Sequence, residues 1–189
     1  MGRWEPGGRG RLEQAALALF GESGFENTTV AQIAARAGLT ERTFFRYFAD
    51  KREVLFWGSR ALQELMVDAL VNAPPAAAPL EAVAAALDAA GAALQERFEF
   101  ARNRHAVIVE SAELRERELI KLASLAAALG DALRRRGTTG PTATLTAEAG
   151  ITVFRVAFER WVTETAPHEL PELIRESLEE LRGVFQSRN

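Results

Sequence analysis

Apolar positions recur at helical spacing along almost the whole chain, and no alternating strand pattern stands out. Leu12, Ala16, Leu19 and Phe20 fall on one face of a first helix, which Gly24 ends because glycine takes positive φ without strain. Val30, Ile33, Ala34 and Ala37 follow at i, i+3, i+4, i+7, with Thr29 and Gln32 at capping-box spacing ahead of them and Gly38 behind. Thr40 caps a third short helix, "ERTFFRYF". Asp50 and Glu53 repeat the capping-box spacing and open a fourth helix, whose apolar face runs Val54, Leu55, Ala61, Leu62, Leu65, Met66, Ala69 and Leu70. The prolines of "NAPPAAAP" break it, since they lack N–H donors and clash with the preceding turn.

Beyond that break, Val83, Leu87, Leu94 and Phe98 mark an alanine-rich fifth helix, and "RNRHAVIVE" is a short sixth. Ser111 caps a seventh with a core face of Leu114, Leu122, Leu125, Leu129 and Leu133, stopping at Gly137. The eighth, over residues 144–165, is apolar nearly all round, which predicts burial on more than one side. "APHELPE" breaks it, and Leu173, Ile174, Leu178, Leu181, Val184 and Phe185 give a ninth an amphipathic stripe. The pattern predicts an all-α fold of about nine helices.

Composition narrows the classes without choosing one. The 189 residues are 48% hydrophobic and 26% charged, as in an ordinary soluble protein. Net charge is -3, so no global basic field points to nucleic acid, but residues 1–56 stand near +1 and the remainder near -4. Without cysteine there is no disulfide or thiolate chemistry, and neither His105 nor His168 has a partner at metal-ligand spacing. No metal and no cofactor is expected. No apolar run reaches the roughly 20 residues of a membrane span, and "MGRWEPGGRG" lacks the apolar stretch of a signal peptide, so a cytoplasmic location is expected.

One constellation carries chemistry. Two short helices joined through "AGLT" form a helix-turn-helix signature: an apolar-periodic helix, glycine at the bend, a hydroxyl cap and a second short helix. The second helix carries Arg42 and Arg46 one turn apart, hence on one face, while Phe44 and Phe48 form the face that locks it in place. A helix fits the major groove, where base edges differ in donor and acceptor pattern and arginine bonds guanine bidentately. That makes Arg42 the leading base reader. Thr43 can touch a base or a phosphate.

The run "TVAQIAARAGLTERTFFRYFADKREVLF" resembles the DNA-binding domain of TetR-family transcriptional regulators, a likeness that covers roughly the first third of the chain. It implies an N-terminal three-helix DNA-binding domain, placed at residues 9–56, and a larger helical ligand-binding and dimerisation domain at 57–189. Residues 1–8 form an N-terminal arm. Its glycines favour a flexible tail over arginines laid in the minor groove. By this analogy Thr28, Thr29, Thr40, Tyr47 and Lys51 contact phosphates, which fix register without reading sequence. Phe45 stands where the family most often has tyrosine, so only an apolar contact, with a thymine methyl or a sugar, is open to it.

One recognition helix reads too few base pairs for a genome, and a symmetric dimer on a near-palindromic operator answers this. The family resemblance places the interface in the last two helices, on Trp161, Leu173, Ile174, Leu178, Leu181 and Phe185; the same stripe could instead complete the chain's own core. An unknown small-molecule effector is expected between residues 80 and 165, with Phe98, Arg102, His105, Phe154, Phe158 and Trp161 as candidate pocket residues. Ordinary core packing is the competing reading for the aromatics. The function implied is a ligand-responsive repressor rather than an enzyme, since no His–carboxylate cluster or glycine-rich phosphate loop is present. The alternative is a helical interaction or small-molecule-binding protein that has lost DNA binding.

Overall fold

The computed structural model describes residues 7–164 and 168–186, the last two by backbone alone. Among the described residues there are ten helices and no strands. The chain divides into two compact units: residues up to Gly58 with Asn103–Glu118, and Ser59–Arg102 with the residues from Leu119 onward.

In the first unit, α1 (Gly8–Ser23) buries Leu12, Ala15, Ala16 and Phe20. It stops where Gly24 turns to φ 81°, its N–H bonded to the Phe20 carbonyl at 3.0 Å. The expected capping box opens α2 (Val30–Arg36): Thr29 Oγ1 accepts from the Gln32 N–H, and Gln32 Oε1 accepts from the Thr29 N–H. Gly38, at φ 66°, makes the bend that an L side chain would strain. Thr40 Oγ1 then accepts from the Thr43 N–H at 3.2 Å and starts α3 (Glu41–Tyr47). Asp50 accepts from the N–H groups of Arg52 and Glu53 at the start of the one-turn α4 (Glu53–Phe56). The Arg52 guanidinium, bonded to the same carboxylate, is the main cause that holds the Asp50 carboxyl below the ordinary range.

Phe20, Ile33, Phe44, Phe48 and Phe56 centre the core of this unit, joined by Val107, Ile108 and Leu114. Residues 103–118 were expected in the second domain; they belong instead with the first. Ion pairs add to the apolar contact. Arg52 meets Glu113 at 2.7 Å, Arg117 meets Glu53, and Arg104 meets Glu118 while donating to the Leu55 carbonyl at 2.7 Å.

The second unit begins with α5 (Ser59–Val71). The single fourth helix expected from Glu53 onward is interrupted at Trp57 and Gly58, glycine being the poorest helix former after proline. α6 (Pro79–Gln95) starts with proline in its first turn, and α7 (Phe98–Glu110) begins at the phenylalanine expected to end α6. α8 (Ala112–Arg135), α9 (Gly140–Thr163) and α10 (Leu170–Gln186) complete the element order. Leu114 of α8 serves the first core, while Leu125, Leu129 and Leu133 serve the second.

Alanine richness in α6 is a packing device. Ala82, Ala86 and Ala90 leave a thin face, so α9 and α10 approach closely. At the crossing with α9, a Cβ on Gly150 would stand 2.4 Å from Val83 Cγ1. A buried, branched valine cannot yield cheaply. Gly150→Ala should therefore destabilise the protein by about 1–3 kcal/mol. In a Val83→Ala background the same change should be neutral or stabilising, since alanine is the better helix former. Thermal denaturation of the four proteins checks the reversal of sign.

Arg136 provides a second organising contact. Its guanidinium donates to the carbonyls of Val71 (3.0 Å), Ala73 (2.8 Å) and Pro74 (2.7 Å), at the end of α5 and in the turn that follows it. No helix is long and apolar enough to cross a membrane among the described residues.

Candidate nucleic-acid interface

The two faces of α3 differ sharply. Phe44 is fully buried, with Phe48 beside it at a ring-centroid distance of 5.4 Å. The other face carries Arg42, Phe45, Arg46 and Tyr47 in solvent. Phe45 is 55% exposed, its ring edge-on to Phe44 at 5.5 Å. Arg42 has no hydrogen bond or ion pair to another described residue, so its full fork of donors is open. Arg46 is engaged lightly: it donates to the Tyr47 hydroxyl at 3.2 Å and lies over that ring at 5.0 Å. Thr40 and Thr43 pair their hydroxyls at 3.1 Å on the exposed side, and Thr29 caps α2 in solvent. Arg36, by contrast, is committed to Glu22 through a bidentate ion pair.

Two expected phosphate contacts take other work. Thr28 is only 2% exposed, and its hydroxyl donates to the Gly24 carbonyl at 2.8 Å and the Leu19 carbonyl at 3.3 Å. Its side chain holds the α1–α2 turn together and faces no solvent. Lys51 donates its ammonium to the carbonyls of Phe25 (2.7 Å), Glu26 (3.3 Å) and Thr28 (3.0 Å), and lies 4.2 Å from the Phe25 ring centroid. A lysine has three N–H donors, and here three backbone carbonyls are placed to accept them. Lys51 ties the loop before α2 to the segment after α3.

Sequence reasoning missed Arg11, whose Nε donates to the Ala37 carbonyl at 3.3 Å and fastens α1 to the bend of the helix pair. It also missed Arg9, stacked over Trp57 at 3.4 Å from the ring centroid. Both contacts join residues far apart in sequence, and no periodic signal announces them.

In the second unit, four of the six expected pocket residues come together. Phe98 and Trp161 meet edge-on at 5.0 Å, Phe158 lies 5.8 Å from Trp161, and Phe154 lies 6.0 Å from Phe158. These rings pack on one another, Phe154 and Trp161 within the core and Phe98 and Phe158 partly buried against it. Arg102 is exposed in the same unit, whereas His105 belongs to the first. A surface hollow of about 200 Å³ between α8 and α9, lined by Gly130, Asp131, Arg134, Thr144 and Glu148, includes none of the six.

Four of the six expected dimer residues lie inside the chain's own core. Trp161, Leu173, Ile174 and Leu178 are buried in the chain's own core, with Leu181 packed partly against it. A side chain already surrounded by its own unit has no surface left for a partner. Phe185 has its side chain outside the described residues, as do residues 1–6 of the expected arm. On the same two helices the exposed apolar positions are Leu145 (71%), Val156 and Val184 (72%).

Comparison with known proteins accounts for both units. Residues 13–56 match the bacterial regulatory proteins of the tetR family, and residues 77–186 match the MftR C-terminal domain. The HTH-type transcriptional regulator TcmR of Streptomyces glaucescens is 42% identical over 81 residues, which are 43% of this chain and 36% of TcmR. The matched stretch thus spans about a third of that relative's length. Among solved structures, the regulator FadR of Bacillus subtilis in complex with stearoyl-CoA superposes with a TM-score of 0.63 at 19% identity, over 90% of this chain and 96% of the other. SmeT, the repressor of a Stenotrophomonas maltophilia multidrug efflux pump, superposes in its triclosan complex with a TM-score of 0.66 at 21% identity, over 95% and 91%. With family matches across both its helix-turn-helix and more than half of its length, the chain belongs to the TetR family of bacterial transcriptional regulators and carries a C-terminal domain of the MftR type.

Proposed function

We propose that the protein is a sequence-specific DNA-binding repressor that acts as a homodimer on a near-palindromic operator and is released by a small-molecule effector. The observation that carries this reading is the exposed face of α3, where Arg42 stands unpaired on a helix fixed by buried Phe44. An arginine held on a rigid helix and free of internal partners is suited to the paired acceptors of guanine in the major groove. Thr43, Arg46 and Tyr47 share this surface, and Thr29 and Thr40 stand at the exposed starts of α2 and α3 as phosphate contacts.

Dimerisation would place two such helices about 34–36 Å apart, one turn of duplex. The faces of α9 and α10 that carry Leu145, Val156 and Val184 are the ones left to meet a second copy. The aromatic cluster around Trp161 supports an apolar effector. Such a ligand acts only through a difference in affinity between DNA-competent and incompetent forms. The work is that of a regulator in the cytoplasm, with no catalytic step.

Selection of binding sites from a random duplex pool, followed by gel shifts, tests the reading. The wild type should enrich a symmetric sequence. Arg42→Ala should lose about 1–3 kcal/mol of preference at one base position in each half-site while keeping its affinity for unrelated DNA. No enrichment at low salt would defeat the proposal.

A further inference from the structure

Phe45 is an expensive residue to leave in water, and the first unit leaves more than half of it exposed. It is 55% exposed, whereas Phe44 just before it on α3 and Phe48 just after the helix are buried. At 3.6 residues per turn, Arg42 and Arg46 oppose Phe44 on α3, and Phe45 lies about 60° from Arg42 on one flank. Thr43 and Tyr47 lie on the other flank. The reading face is therefore divided: charge at its centre, hydroxyls on one side, and a hydrocarbon ring with no polar atom on the other.

We infer that Phe45 is a specificity determinant that reads the 5-methyl group of a thymine beside the guanine bound by Arg42. The inference rests on the DNA-binding reading above and adds to it the chemistry of one more base. A phenyl ring gives no hydrogen bond to a phosphate, and a sugar, its other apolar neighbour, is the same at every base pair and carries no sequence preference. The apolar group that base edges offer on the groove floor is the thymine methyl. The edge-on contact with Phe44 at 5.5 Å holds the ring in place before DNA arrives, so little side-chain freedom is lost on docking.

The test replaces each thymine of the selected operator in turn by deoxyuridine, which pairs identically but lacks the methyl group. For the wild-type protein, one symmetry-related thymine next to the guanine read by Arg42 should weaken binding about fourfold per half-site when replaced. Phe45→Ala should bind the thymine and deoxyuridine operators alike, Phe45→Leu should retain part of the discrimination, and Arg42→Ala should keep it. Thermal denaturation of each variant confirms that the fold is intact. The inference is overturned if no thymine is sensitive to replacement, or if Phe45→Ala discriminates as strongly as the wild type. A wild type that enriches no sequence at all overturns the DNA-binding reading as well, a result distinct from the other two.

Discussion

Phe44→Ala should cost the protein about 3–5 kcal/mol, a large part of the stability of a small helical unit. Phe44 is fully buried between Phe48 and the rest of the first core, so alanine leaves a cavity that the surrounding helices cannot fully close. The neighbouring substitution Phe45→Ala should change stability by only about 0.5 kcal/mol or less, because that ring is largely in solvent. Two adjacent phenylalanines, changed identically, thus separate folding from recognition. Chemical denaturation measures the first effect, and DNA binding well below each melting midpoint measures the second. Equal losses of stability in the two variants would contradict the assignment of faces on α3.

Lys51→Ala should destabilise the first unit by about 1.5–3 kcal/mol, the range for hydrogen bonds to a charged group. The ammonium now bonds the carbonyls of Phe25, Glu26 and Thr28, and alanine would remove all three bonds, two of them partly buried. Lys51→Arg should recover little, since a planar fork does not match three carbonyls converging on one point. The salt dependence of DNA binding, measured on folded protein, should stay as in the wild type. The contrary result is equally clear: unchanged stability with a salt slope reduced by about one would make Lys51 a phosphate contact after all.

The residues that changed role share a feature. Thr28 and Lys51 sit in a loop and a helix-to-helix joint, where helical period says nothing about direction. Their partners lie at a distance along the chain, Leu19 for one and Phe25 for the other. Arg11 and Arg136 escaped notice for the same reason, each donating to backbone carbonyls on a different element. Carbonyls are present at every residue, so sequence carries no mark of which ones an arginine will find.

Local chemistry by itself determined a good deal. The Thr29–Gln32 capping box, the glycine stops at Gly24 and Gly38, the Thr40 cap and the two faces of α3 all follow from contacts within a few residues. Such contacts are decided by spacing, and spacing is visible. Tertiary structure alone decided what each apolar stripe meets. Leu173, Ile174 and Leu178 lie in the chain's own core rather than against a second copy, and Val107, Ile108 and Leu114 complete the first unit rather than the second. The hydrophobic effect is proportional to area and blind to identity. A buried face therefore has the same pattern whichever surface covers it.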